Sequence, residues 1–226
     1  MARKGLLAVV LAALVAIGGF AESPFSVGVG LVLDLAFDGF EVRESGTLMG
    51  DAFNANIGFG LWSFVDARVL QASLGLFAGP AFAEYRYRSS AGPLVTEEFS
   101  GAFVALDFSL LGRFPIYFRN VMRGSSWFPL LGVGYTAVVF ATYDGERENI
   151  PSDFNTLRII SGVGMDIALG QTNTHFLRLQ MLAAYRLPNN MMAESVRYLE
   201  PYAQNLRSSG GGFSVTFKAG WGFRLP

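Results

Sequence analysis

The sequence predicts an all-β fold: a transmembrane, antiparallel up-and-down β-barrel of eight strands. Three observations predict it. The chain is strongly apolar, with 51% hydrophobic and 15% charged residues over 226 positions, whereas an average soluble domain is about 25% charged. Its single long apolar run lies at the N-terminus, so the series of roughly 20-residue spans expected of a helical membrane protein is not there. The remainder alternates apolar with small or polar residues at a period of two, the period of a strand and not of a helix. In lipid every backbone N–H and C=O must be paired within the protein, and strands achieve this by closing into a barrel.

Residues 1–21 read as a secretory leader. Arg3 and Lys4 supply a basic start, residues 5–17 are apolar, and Gly19, Phe20 and Ala21 place small residues where a signal peptidase reads. Cleavage is expected after Ala21, leaving residues 22–226 as one barrel domain.

The first strand places Phe25, Val27, Val29, Leu31, Leu33, Leu35 and Phe37 on one face and Ser26, Gly28, Gly30, Val32, Asp34 and Ala36 on the other. In the second, Phe53, Ala55, Ile57, Phe59 and Leu61 oppose Asn54, Asn56, Gly58 and Gly60. The third sets Leu70, Ala72, Leu74 and Leu76 against Gln71, Ser73, Gly75 and Phe77. The fourth sets Ala102, Val104, Leu106, Phe108 and Leu110 against Phe103, Ala105, Asp107 and Ser109. The fifth opposes Leu131, Val133, Tyr135, Ala137 and Val139 to Gly132, Gly134, Thr136 and Val138. The sixth opposes Leu157, Ile159, Val163, Met165 and Ile167 to Arg158, Ile160, Gly162, Gly164 and Asp166. The seventh opposes Leu177, Leu179, Met181, Ala183 and Tyr185 to Arg178, Gln180, Leu182, Ala184 and Arg186. The last opposes Phe213, Val215, Phe217, Ala219, Trp221, Phe223 and Leu225 to Ser214, Thr216, Lys218, Gly220, Gly222 and Arg224. A soluble sandwich also alternates. Here the apolar face is almost free of charge, each segment has about the 9–11 residues that a tilted strand needs to cross a bilayer, and the count is even.

Connections alternate in length. The polar stretches 38–50, 84–100, 144–153 and 188–210 are expected on the outer surface. The stretches 63–66 and 170–174 are expected as short periplasmic turns, and 112–126, with Arg113, Pro115, Arg119 and Arg123, as a longer periplasmic hairpin end. Both termini are then periplasmic. Aromatic girdles are expected from Phe25, Trp62, Phe64, Phe114, Tyr117, Phe118, Trp127, Phe128, Trp221 and Phe223 at the periplasmic rim, and from Tyr85, Tyr87, Tyr143 and Tyr185 at the outer rim.

Inward positions sort by height. Gly28, Gly30, Gly58, Gly60, Gly132, Gly134, Gly162, Gly164, Gly220 and Gly222 fall in the periplasmic half, with Asp107, Asp166, Arg178 and Arg224. Val32, Phe77, Phe103, Val138, Phe140, Ile160 and Leu182 line the outer half, with Asp34, Asn54, Arg158 and Arg186. The glycines have two readings: they make room for neighbouring long side chains in a filled lumen, or they line a hydrated vestibule. Asp166 and Arg178, symmetric about Thr172, are expected as cross-strand partners. Lys218 is expected mid-lumen near Asp34 or Asp107, since an unpaired buried ion is costly.

Zero cysteines and one histidine leave no thiolate site or metal-ligand cluster. His175 has no serine or carboxylate placed to complete a triad, and the Gly-x-Gly runs open no helix, so no nucleotide fingerprint is present. No enzyme activity, cofactor or nucleic-acid partner is expected.

The chain end, with Lys218, Gly220, Phe223 and Leu225 spaced polar-x-Gly-x-x-aromatic-x-hydrophobic, resembles the signal that barrel-assembly machinery reads in its clients, although Pro226 follows where a terminal aromatic is usual. With the eight alternating segments, the chain resembles the small bacterial outer-membrane barrels of the OmpX/OmpW/opacity type over residues 22–226. That resemblance implies an outer-membrane location, with lipid and the assembly machinery as partners. It also implies one of two functions. The first is a narrow channel for small, mainly apolar solutes, favoured by the apolar outer lumen. The second is a surface-interaction or structural barrel with a filled lumen and functional loops. It is suggested by Met191, Met192, Tyr198, Leu199 and Tyr202 in the longest loop, which could meet host or surface ligands.

Overall fold

The structure, a computed structural model, describes residues 25–44, 47–88, 94–118, 124–144, 146–147, 155–170, 173–188 and 206–225. The leader, Arg119, Arg123, Pro226, the side chain of Tyr143 and the apolar residues of the 188–210 loop lie outside the described residues.

Eight long strands follow one another: β1 Phe25–Glu44, β2 Thr47–Ala67, β3 Leu70–Arg88, β4 Leu94–Arg113, β5 Ser126–Tyr143, β6 Thr156–Leu169, β7 His175–Arg186 and β8 Leu206–Leu225. Each pairs antiparallel with the next, and β8 returns to pair with β1 from Phe25↔Leu225 to Glu44↔Leu206. The sheet is therefore a closed up-and-down barrel, in which no long strand is left with an open edge along its whole length. Two-residue ladders at 116–117 and 146–147 extend the two ends of β5.

The strands outrun the alternating apolar segments. β1 and β2 pair as far as Glu44↔Thr47, and β3 and β4 as far as Arg88↔Leu94, so most of the stretches expected as outer loops at 38–50 and 84–100 are strand. A ladder is held by backbone hydrogen bonds and continues where the outward side chains turn polar. At the other end, 63–66 is not a turn. It belongs to β2, and the hairpin turns at Arg68 and Val69, with Arg68 at φ 56°. The turn around Gly170 and Asn173 is where the sequence places it. The 112–126 segment is a hairpin extension with no helical residue among those described.

The alternating faces sort as expected from the period of two. Outward side chains such as Val29, Leu31, Phe59, Leu61, Leu131 and Met181 are exposed, while Asp34, Asp107, Asp166, Arg158, Arg178 and Lys218 are buried inside. On β1 the outward apolar run covers residues 25–37 and gives way to Glu41 and Arg43. At ~3.4 Å per residue and a tilt near 40°, that run is about 30 Å tall, close to a hydrocarbon core. Phe37 and Phe53 stack at its outer edge with centroids 6.3 Å apart. His175, Trp221 and Phe223 cluster at the other edge, 4.8–6.5 Å between rings, so the lone histidine is part of an outward aromatic group. Among the described residues no helix is long and apolar enough to cross a membrane. Leu31 is 66% exposed at mid-belt. Leu31→Arg is expected to destabilise the barrel by about 2–4 kcal/mol, measured by urea unfolding in lipid vesicles, and an unchanged midpoint would show that this face does not meet lipid.

Three placements differ from expectation. Trp62, Phe64 and Phe128 are not girdle residues; they are buried in the lumen because the alternation of β2 and β5 runs on beyond the apolar stretch. Tyr85 also points inward and packs edge-on against Phe99, centroids 5.6 Å apart. Tyr87, on the same inward parity, donates from its hydroxyl to Glu97 (2.8 Å). Phe140 is not a lumen residue. A bulge at β4–β5 pairs Val104 with Phe140 and Ala105 with Val138, so one extra residue flips the parity and Ala141 takes the inward place.

Candidate functional site

Among the described residues, charged and polar side chains are buried together in the lumen, where they are organised in layers. The layer nearest the termini is an ionic quartet. Asp166 and Arg178 face each other across the β6–β7 hairpin, and two further members, Asp66 of β2 and Arg113 of β4, reach them across the lumen. Arg178 donates from Nε to Asp166 Oδ1 (2.7 Å) and from Nη2 to Asp166 Oδ2 (2.7 Å) and Asp66 Oδ2 (2.7 Å). Its Nη1 donates to Asp66 Oδ1 (3.0 Å) and Gln71 Oε1 (3.4 Å). A guanidinium has five N–H donors, and these five bonds use all of them. Arg113 Nη2 binds Asp166, its Nη1 lies 3.5 Å from Asp66 Oδ2, and Ser26 donates to Asp66 (2.6 Å). Two cations and two anions balance, as a group taken out of water requires.

Aromatic rings wall this quartet in. The Arg178 guanidinium carbon lies 4.0 Å from the Phe64 centroid, 5.0 Å from Phe176 and 5.3 Å from Phe128, and that of Arg113 lies 4.1 Å from Phe128. Such contacts strengthen when water is excluded. The inward glycines explain how the rings fit. A Cβ on Gly28 would overlap Phe64, one on Gly164 would overlap Phe128, and one on Gly222 would overlap Phe176. These three glycines sit where large side chains pack against the backbone, as sockets for the rings. Arg224 closes the mouth beneath, donating to the carbonyls of Asn173 (2.9 Å) and Gly124 (2.5 Å).

Above the quartet is a neutral polar layer, where Gln180 donates to Gln71 (2.8 Å) and the Ser73 and Ser109 hydroxyls meet at 2.6 Å. Then come Asp107, ion-paired with Arg158, and Lys218, whose Nζ is 3.9 Å from Asp107 and 5.1 Å from the Trp62 ring. The outer layer contains Asp34, which accepts from Thr216 (2.5 Å), and Asp38, which accepts from Arg186 (2.7 Å). Val32, Phe77, Phe103, Val138, Ile160 and Leu182 do line the interior at and below this height, with Phe77 and Phe103 edge-to-face at 5.9 Å. The cavity that remains here holds about 40 Å³, room for a water or a few, far below the roughly 300–1,000 Å³ of a pocket for a drug-sized ligand.

Sequence reasoning found Asp166, Arg178, Asp107 and Lys218 but missed Asp66 and Arg113. Both lie on the continued alternation, Asp66 after Trp62 and Phe64, and Arg113 after Ser109 and Leu111. Among the described residues no group of three or more metal-ligating side chains occurs. The Lys218, Gly220, Phe223 and Leu225 set lies on β8, the first two inward and the last two outward.

No protein-family model matches the chain, and no curated protein matches it by sequence. Among solved structures the chain is similar to the outer membrane protein OprG from Pseudomonas aeruginosa, at 12% identity over 90% of this chain and 96% of that one, TM-score 0.49. It is similar to Neisserial surface protein A at 12% identity over 90% and 98%, TM-score 0.40. It is also similar to Ail, the attachment invasion locus protein of Yersinia pestis, solved with the heparin analogue sucrose octasulfate, at 12% identity over 90% and 100%, TM-score 0.38.

Proposed function

We propose that the chain is an integral barrel of the bacterial outer membrane, termini on the periplasmic side, whose lumen is plugged and whose activity is displayed at its loop end, as a surface-interaction barrel. The quartet of Asp66, Arg113, Asp166 and Arg178 carries this reading, because it ties strands β2, β4, β6 and β7 together across the lumen with no donor of Arg178 left over. A solute passing straight through would have to separate paired buried charges, each costing several kcal/mol. The paired extensions of β1–β2 and β3–β4 supply a rigid stem for the loop end, and the apolar residues of the 188–210 loop supply contact chemistry.

The test is twofold. Wild-type protein in planar bilayers is expected to show no steady unitary conductance, and a regular ohmic channel would overturn the plugged reading. Deleting residues 191–202 is expected to abolish binding to host cells or matrix while leaving the barrel folded, and undiminished binding would overturn the surface role.

The narrow channel for small apolar solutes keeps one supporting observation. β6 and β7 have 14 and 12 residues against 18–21 in the other long strands, so the described wall is lowest beside the apolar outer lumen. A solute leaving sideways there would bypass the quartet. Phe103→Asp would then abolish its uptake.

A further inference from the structure

We propose that the outer edge of β4, residues 94–99, receives an extended, lysine- or arginine-bearing segment of a partner protein as an added strand. This deepens the surface-interaction reading, on which it rests, by placing the partner and naming its chemistry.

Toward β3, β4 is paired from Leu94 to Gly112. Toward β5 it is paired only from Gly101↔Tyr143 onward. Asp144 ends that ladder: its N–H donates to the Ser100 carbonyl (2.8 Å), and its carboxylate accepts from the Ser100 N–H (3.2 Å). The short ladder at 146–147 adds to the other side of β5, since the first side is taken by β4. Among the described residues nothing therefore pairs with the far side of residues 94–99. Backbone groups of an antiparallel strand point alternately to its two neighbours. Thr96 and Glu98 thus aim their N–H and C=O as Ser100 does, away from β3. An open edge of this kind is a template for one more strand.

The side chains beside the edge select that strand. Two rows run to it across the outward face. One is Phe53, Glu84 and Glu98; one step nearer the apolar belt, the other is Ala55, Phe82 and Ser100, followed by Asp144. Glu84 and Glu98 are directly opposite each other, and like charges so placed are destabilising. Arg86 is bound to Asp51 by two hydrogen bonds and stands 3.8 Å from Glu84. Arg88 is at the last pair of the hairpin, opposite Leu94. Among the described residues no Arg, Lys or His lies within 4.0 Å of Glu98 or Asp144. A groove of about 410 Å³ lies here, with Phe53 and Phe82 as its floor and Glu84, Glu98 and Asp144 at its sides. Lysine and arginine suit it, because their stems lie along apolar surface while their charged heads stay at the rim. An acidic strand would add a third like charge to the row.

The full chain, folded in nonionic detergent, is titrated against fluorescein-labelled peptides as long as the open edge, with binding read by fluorescence anisotropy. One peptide alternates lysine with threonine, and one alternates glutamate with threonine. A third is the lysine peptide N-methylated throughout, which keeps its charge and loses its backbone donors. Saturable binding of the first alone is expected. E98K is expected to weaken it about tenfold, because a charge facing the partner is reversed. T96P removes an N–H that β3 does not use, as proline on an edge strand can. It is expected to weaken binding severalfold through the lost hydrogen bond while leaving the thermal unfolding midpoint unchanged. Equal binding of the plain and N-methylated lysine peptides, or of wild type and T96P, would mean charge attraction without an added strand and overturn the proposal. Equal binding of the lysine and glutamate peptides, or binding of neither, would overturn it as well. Should any of these occur while host-cell binding still depends on residues 191–202, the surface-interaction reading stands and this site alone falls.

Discussion

Arg178→Ala is expected to cost the barrel about 3–5 kcal/mol of unfolding free energy, the cost of breaking a buried ion pair by removing one partner. Arg178 is 0% exposed and satisfies both Asp66 and Asp166 with bidentate bonds. Without it, two buried carboxylates compete for Arg113 alone. The substitution also removes the cation that the Phe64 and Phe176 rings face. Two readouts separate stability from function: the urea unfolding midpoint in vesicles, and conductance in planar bilayers, where the variant is expected to open a pathway that wild type lacks. The double variant Asp166→Asn with Arg178→Met is expected to lose less stability than the sum of its parts, because it removes both charges of one pair together. A loss under about 1 kcal/mol for Arg178→Ala, the range of an exposed pair, would mean that water reaches the quartet.

Phe128→Ala is expected to cost about 3–5 kcal/mol, the usual loss for emptying a fully buried aromatic site. Phe128 is 0% exposed, packs with Leu111, Leu130 and Ile160, and lies under the Arg113 guanidinium. Gly164→Ala, directly across the β5–β6 ladder from Phe128, drives its new methyl into that ring. Overpacking of this kind costs about 1–3 kcal/mol. In the double variant the methyl enters space the ring has vacated. Its total loss is therefore expected to fall below the sum of the single losses, by about 0.5–3 kcal/mol of coupling. Strict additivity, measured by the same unfolding titrations, would show that the glycine answers to backbone curvature and not to the ring it faces.

These two experiments address the part of the molecule that sequence reading resolved least. Facing was legible almost everywhere, because it depends on the local period of two: Asp107, Asp166, Arg178 and Lys218 could be placed inside from their immediate neighbours alone. Even the pairing of Asp166 with Arg178 followed from symmetry about one short turn. Strand length was less legible. The ladder continues through 38–44 and 94–100, where outward residues become polar and the apolar signal stops. For the same reason Trp62, Phe64 and Asp66 were assigned to a rim or a turn although their parity already pointed inward.

By itself, the sequence determined a closed antiparallel barrel, its outward apolar face and many of the side chains that point inward. It could do so because alternation along a strand is local, and lipid penalises every charge on the wrong face. Only the tertiary structure brought Asp66 and Arg113 to the pair of Asp166 and Arg178. Asp66 and Arg178 are far apart in sequence and approach each other across the barrel, at a height set by the registers of several ladders. Only it placed Phe140 outside, since a bulge is one extra residue in one strand and leaves the alternation on either side intact. Packing, too, is a three-dimensional outcome: Gly28, Gly164 and Gly222 are sockets because large rings on neighbouring strands reach the same height.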